Sequence, residues 1–184
     1  IGCGCEVCSS TDERDKRLRS SVLIETDNKT FVVDTGPDFR QQMLRAEVRS
    51  LDGVFFTHEH KDHVAGLDDI RAFNFVQKKE MTVYATPRVQ DALKRDFHYA
   101  FADVKYPGVP RIHLETISAN AFEAEGILIR PIQVLHYKLP VLGFRVGDFT
   151  YITDANHIPE NEKKKITGSK VLIINALRKT DHIS

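Results

Sequence analysis

Twelve residues, FFTHEHKDHVAG at positions 55–66, constrain this chain more than any other stretch. Three histidines and one aspartate, His58, His60, Asp62 and His63, fall within six positions. The apolar run GVFF ahead of them reads as a short strand, and AGLDDIRAFNFVQ behind them as a helix with Leu67, Ile70, Phe73 and Phe75 facing inward. Side chains alternate along extended backbone, so His58 and His60 point to the same side. Asp62 and His63 come where the chain turns and project from the next part of the loop. Four ligand-type side chains thus converge from one strand–loop–helix unit. Imidazole and carboxylate suit zinc, and also iron or manganese. A solvated polar loop does not explain such a density of histidine directly after a buried strand.

Two further ligands stand at strand ends. His136 closes IQVLH, and Asp154 closes FTYITD. Two metal ions need about six or seven donors, and a bridging carboxylate would hold them roughly 3.5–4 Å apart. Asp154 is the expected bridge. Asp34, at the end of the buried run in VVDTG, either hydrogen-bonds a ligating histidine or initiates a turn. His98, His113 and His157 read as a helix-face residue and two loop residues.

The only three cysteines, Cys3, Cys5 and Cys8, lie in IGCGCEVCSS. A Cys-x-Cys pair does not easily meet disulfide geometry, and the third thiol is left over. Thiolates on a loop that also holds Gly2 and Gly4 are expected to clasp a structural zinc. No histidine lies near them in sequence to complete the set.

The rest of the chain alternates strand-like and helix-like segments. RLRSSVLIETD and TFVVDTG flank the turn residues Asn28 and Lys29. PDFRQQMLRAEV and PRVQDALKRDFHYAF read as helices, MTVYAT and ILIRPIQVLH as strands, and residues 102–112 as a loop. GFRV and FTYITD form a hairpin around Gly147-Asp148. PENEKKKIT reads as a surface helix and KVLIINAL as a buried strand. The expected class is mixed α/β (α+β), with helices on the outer faces of two packed sheets.

The 184 residues are expected to form one domain. Lys and Arg total 26, as do Asp and Glu, so nothing global points to nucleic acid. No apolar run approaches the ~20 residues of a membrane helix. The basic runs at 14–19 and 163–165 read as solvated faces, the first compatible with an anionic phosphate substrate. A chain that opens on Ile and closes just after an apolar run is expected to be part of a longer protein.

THEHKDH with downstream His136 and Asp154 resembles the metallo-β-lactamase-fold hydrolases, over essentially the whole chain. That resemblance implies an αββα four-layer sandwich with the site at one edge of the sheets. It also implies two divalent ions, zinc or manganese. His58, His60 and His136 would hold the first, and Asp62 and His63 the second, with Asp154 between them. Asp62 and Asp154 would be the catalytic carboxylates, and a hydroxide bridging the metals the nucleophile. The family's final ligand histidine would fall past Ser184, and its first strand ahead of Ile1. His182 lies near the segment that supplies the family's proton donor.

GCGCEVCSSTDERDKRLRSSVLI and VVDTGPDFRQQ are similar to the PhnP-type phosphodiesterase branch. Members carry a Cys-x-Cys-x-x-Cys zinc site closed by a histidine after the last ligand motif. The implied activity is hydrolysis of a small cyclic or nucleotide-like phosphodiester in the cytoplasm, with a homodimer as the expected assembly and no nucleic-acid or membrane partner. The alternatives are a tRNA 3′-processing nuclease, another ester or thioester hydrolase, or a non-catalytic metal-binding protein.

Overall fold

The structure, a computed structural model, describes residues 2–176. His182 lies outside the described residues. In chain order the elements are α1 (Glu6–Ser9), β1 (Val22–Thr26), β2 (Lys29–Val33), α2 (Phe39–Arg45), β3 (Gly53–Phe55) and α3 (Lys61–Val64). Then come α4 (Arg71–Gln77), β4 (Met81–Ala85), α5 (Pro87–Asp96), α6 (His98–Phe101), β5 (Ile112–Thr116) and β6 (Phe122–Ala124). The last are β7 (Ile127–His136), β8 (Leu139–Val146), β9 (Phe149–Ile152), α7 (Glu160–Ile166) and β10 (Val171–Ile174). One sheet runs β1-β2-β3-β4-β5 and the other β10-β9-β8-β7-β6.

Side-chain alternation builds the layers. Phe31 and Val33 of β2, Phe55 of β3 and Tyr84 of β4 face Ile129, Leu142, Phe144 and Tyr151 of the other sheet. Val32, Val54 and Val83 point the opposite way, onto Phe39, Met43, Phe73, Val89 and Leu93 of the helices. On the far side, Ile132, Val134, Val141 and Ile152 pack with Ile166 of α7. The result is helix, sheet, sheet, helix, the αββα order. Buried Glu162 ties α7 down, accepting from Gln133 N–H at 2.8 Å and pairing with Lys165.

Strand direction decides where a site can form. β2 and β3 are parallel. β7 and β9 are both antiparallel to β8 and therefore run the same way as each other. Leu142 N–H, in the first half of β8, donates to Thr57 O just past β3 at 3.1 Å. The carboxyl ends of β2, β3, β7 and β9 therefore meet at one edge of the sandwich.

Some local expectations change. Asp27 and Asn28, both with left-handed backbone (φ 46° and 60°), form the first hairpin turn, and Lys29 already belongs to β2. The loop expected over 102–112 ends at Arg111, and His113 lies in β5. Phe75 is 67% exposed. It sits about 200° round the helix from buried Phe73, so the two cannot share a face. β10, expected to be buried, is an edge strand whose four apolar side chains are each 43–52% exposed among the described residues. Among those residues, no helix is long and apolar enough to cross a membrane.

Phe55 is the centre of the inter-sheet layer, with ring centroids 5.0–6.0 Å from Phe31, Tyr84, Phe122 and Phe144. Phe55→Ala should lower unfolding free energy by about 3–5 kcal/mol in a denaturant titration. Phe75→Ala should change it by no more than about 0.5 kcal/mol.

Candidate metal centre

The site is built from the four strand ends. Asp34 follows β2, Thr57 to His63 follow β3, His136 ends β7 and Asp154 follows β9. Asp34 and Asp154 both take left-handed backbone (φ 64° and 55°), which turns each carboxylate sharply off its strand. Backbone packing is equally close. A Cβ on Gly36 would stand 2.4 Å from Asp62 O, and one on Gly66 would stand 2.2 Å from Gly36 O. Only glycine lets the loop after β2 lie against both ends of the ligand loop.

Asp34 is fully buried and organises the histidines. Its carboxylate accepts from Thr57 N–H at 2.9 Å and from the Thr57 hydroxyl at 2.8 Å. It also accepts from His63 Nδ1 at 2.7 Å. With the Thr57 hydroxyl proton committed to Asp34, the Thr57 oxygen can only accept from His58 Nδ1, 2.9 Å away. Both His58 and His63 therefore carry hydrogen on Nδ1 and present Nε2 to the centre. Asp34 turns the chain and hydrogen-bonds His63 directly and His58 through Thr57.

The donor atoms face one another at coordination spacing. His58 Nε2 is 3.0 Å from His60 Nδ1 and 3.7 Å from Asp154 Oδ2. Asp154 Oδ2 is 3.3 Å from His63 Nε2, which is 3.9 Å from Asp62 Oδ2. Donors about 2.0–2.1 Å from a tetrahedral ion lie roughly 3.3 Å apart. The His136 ring is 5.3 Å from the His60 ring and 6.0 Å from the His58 ring, and its buried Nδ1 has no partner among the described residues. Two imidazole nitrogens facing at 3.0 Å repel unless a proton or cation lies between them, so this donor set fits a divalent metal.

The charges follow from the same contacts. Burial depresses His58 to about 3, and the nearby His63 charge adds to the effect. Burial also opposes a charge on His63. The hydrogen bonds and charges of Asp154 and Asp34 outweigh it and lift His63 to about 10. For Asp154, burial works upward, but His63 and the Thr153 hydroxyl, donating at 2.9 Å, hold the carboxyl well below the usual range.

These groups open into a cleft of about 790 Å³ whose walls include Arg17, Arg19, Asp62, His136 and Asp154. The Arg19 guanidinium lies 3.9 Å from Asp62 Oδ2. Ser21 Oγ pins this stretch by donating to Val33 O and Asp34 O, and Arg19 N–H donates to Asp38 at 2.7 Å. Thr57 carries no signal in the sequence beyond its place before His58. Exposed His98 and His157 do not line the cleft among the described residues.

Cys3, Cys5 and Cys8 converge separately, with ligand atoms within 4.8 Å of one another and all three residues exposed. The Cys8 backbone N–H and the neighbouring thiols bring Cys5 down to about 7. The same thiol contacts push Cys8 up to about 11.

Residues 29–184 match the family model described as a beta-lactamase superfamily domain. The chain belongs to the metallo-β-lactamase superfamily. A crystal structure of a new diphosphatase from the PhnP family is 34% identical and overlays with a TM-score of 0.90, covering 100% of this chain and 71% of that one. The superfamily member described here falls in that PhnP-like branch. Zinc-bound PqqB from Methylobacterium extorquens shares the fold at 22% identity and TM-score 0.70, over 95% of this chain and 67% of that one. Curated relatives include a Porphyromonas gingivalis protein named octanoyltransferase, 41% identical over 97% of this chain and 36% of that protein. A ribonuclease Z of Staphylococcus epidermidis is 23% identical over 74% of this chain and 45% of that protein. The chain thus spans less than half the length of these two curated relatives.

Asp34→Asn would put an amide donor where His63 or Thr57 must donate. Metal affinity at the histidine cluster should fall about 10–100-fold, measured by competition with a chelator.

Proposed function

We propose that this chain is a binuclear metal-dependent phosphodiesterase acting on a small cyclic or nucleotide-like phosphodiester. The observation that carries the reading is a pre-oriented imidazole–carboxylate cluster, rooted in buried His58 and His63, that shares one cleft with Arg17 and Arg19. Kinship with a PhnP-family diphosphatase supports it. His58, His60 and His136 would hold one ion, Asp62 and His63 another, with Asp154 between them. Bound divalent ions supply Lewis acidity and lower the pKa of water to about 7.

The chain's own groups do the rest. Asp34 keeps His58 and His63 in the ligating tautomer. Thr153 orients Asp154 by donating to its Oδ1 at 2.9 Å, which leaves Oδ2 toward the histidines. Arg17 and Arg19 hold the non-bridging oxygens of an anionic substrate against the cluster. The reading includes no macromolecular partner. A second reading, a nuclease that trims RNA, is favoured by the ribonuclease Z relatives.

Bis(p-nitrophenyl) phosphate and a precursor tRNA with a 3′ trailer separate the two. The proposal expects release of p-nitrophenol with negligible trimming. Asp154→Ala should lower that turnover by about three orders of magnitude or more. Near wild-type turnover in this variant, with its metal content verified, would sink the binuclear assignment.

The cysteines are proposed to hold one structural zinc. Replacing Cys3, Cys5 and Cys8 together by serine should remove one zinc per chain and lower the melting temperature, since binding and folding free energy are linked. Equal zinc content and equal melting temperature would show that the segment is only a loop.

A further inference from the structure

Two asparagines outside the ligand set hold the backbone next to His136 and Asp154, and Asn175 also lines the cleft. Asn175, just past β10, meets Ala155 with both ends of its amide. Ala155 N–H donates to Asn175 Oδ1 at 3.0 Å, and Asn175 Nδ2 donates to Ala155 O at 3.2 Å. Asn156 does the same kind of work one loop away, where Tyr137 N–H donates to Asn156 Oδ1 at 2.9 Å. Asn156 is itself fixed, because its N–H donates to Leu135 O at 2.9 Å, and Leu135 N–H donates to His157 O at 2.9 Å.

The placement of these bonds gives them meaning. The N–H of Ala155 belongs to the peptide plane joining Asp154 to Ala155, and the orientation of that plane sets Asp154 ψ. The N–H of Tyr137 belongs to the plane that sets His136 ψ. Both segments carry left-handed non-glycine backbone, Asp154 at φ 55° and Tyr137 at φ 57°. Such backbone persists only where its surroundings over-determine it. Two side-chain amides supply that here, in a relay from the end of β10 through the Asp154 loop to the His136 loop.

We propose that Asn175 and Asn156 are positioning residues for the donor pair Asp154 and His136, setting the affinity of the centre without touching a ligand atom. The inference rests on the proposed function only in taking those two residues as ligands. Mn²⁺ tests it, because that hard cation binds imidazole and carboxylate and avoids the thiolates of the cysteine cluster. Free Mn²⁺ is read by electron paramagnetic resonance as the protein is titrated, so no turnover is involved.

Asn175→Ala and Asn156→Ala should each weaken Mn²⁺ binding about 10–100-fold. Asn175→Asp keeps the acceptor for Ala155 N–H and should recover most of that loss. Asn74→Ala is the control. Asn74 also clips backbone, donating to Lys79 O and Arg111 O at 3.0 Å, but in a part of the fold away from the cleft. It should lower the melting temperature and leave Mn²⁺ affinity unchanged. If both Asn175→Ala and Asn156→Ala bind Mn²⁺ like the wild type, or Asn74→Ala loses affinity equally, the positioning role is overturned. If Asp154→Ala itself binds Mn²⁺ normally, the ligand assignment fails instead.

Discussion

A single buried carboxylate, Asp34, is what the site's geometry depends on. Taking an ion out of water costs several kcal/mol unless its lone pairs are satisfied. Asp34 meets that condition with three donors, two from Thr57 and one from His63. Those bonds join the end of β2 to the loop after β3, so the residue that needs them also locks two neighbouring strand ends together. The same bonds decide which nitrogen of His58 and of His63 faces the centre. A donor cluster with a free choice of tautomers would present N–H groups to a cation half the time. Here Nδ1 of both rings is already engaged, so Nε2 is the nitrogen left to face an ion.

The other half of the site comes from the second sheet, and only the sandwich brings the halves together. Asp154 is 96 residues beyond His58, yet the two carry atoms 3.7 Å apart. No local segment can assemble that. It requires Phe55 and its aromatic neighbours to seal the sheets and β7 and β9 to run in the same direction. Stability of the inter-sheet layer and geometry of the centre are therefore one problem. The loops can be strained, with left-handed Asp34, Asp154 and Tyr137, because the strands beneath them are not.

Legibility in the sequence followed range. The His58–His63 turn was visible because its ligands are consecutive and follow a strand whose apolar character is local. His136 and Asp154 were visible only as strand-end residues, and gained weight from the first cluster. The layer order was legible in outline, since alternating apolar residues reveal which strands have two buried faces. Asp34 stayed undecided between turn and support, because the choice depends on where Thr57 and His63 lie in space. Thr57, Asn156 and Asn175 carried no signal. A side chain that clips backbone about 20 residues away has no period and no motif. Phe75 departs from expectation for a related reason, since apolar character does not guarantee burial. The outer face of a helix carries apolar residues too.

The charge pattern bears on the choice between the two proposed activities. The chain as a whole is neutral, 26 basic against 26 acidic residues, so long-range attraction toward a polyanion is weak. At ordinary ionic strength it is screened beyond about 8–10 Å in any case. Capture of a negative substrate therefore depends on charges at the cleft itself. Arg17 and Arg19 provide two there among the described residues, both on a segment pinned to Asp38 and to the backbone after β2. Affinity for a nucleic acid grows with the number of phosphates neutralised. Of the two arginines, Arg19 stands beside Asp62, its guanidinium 3.9 Å from Oδ2. The other basic run, residues 163–165, lies instead on α7, on the outer face of the second sheet.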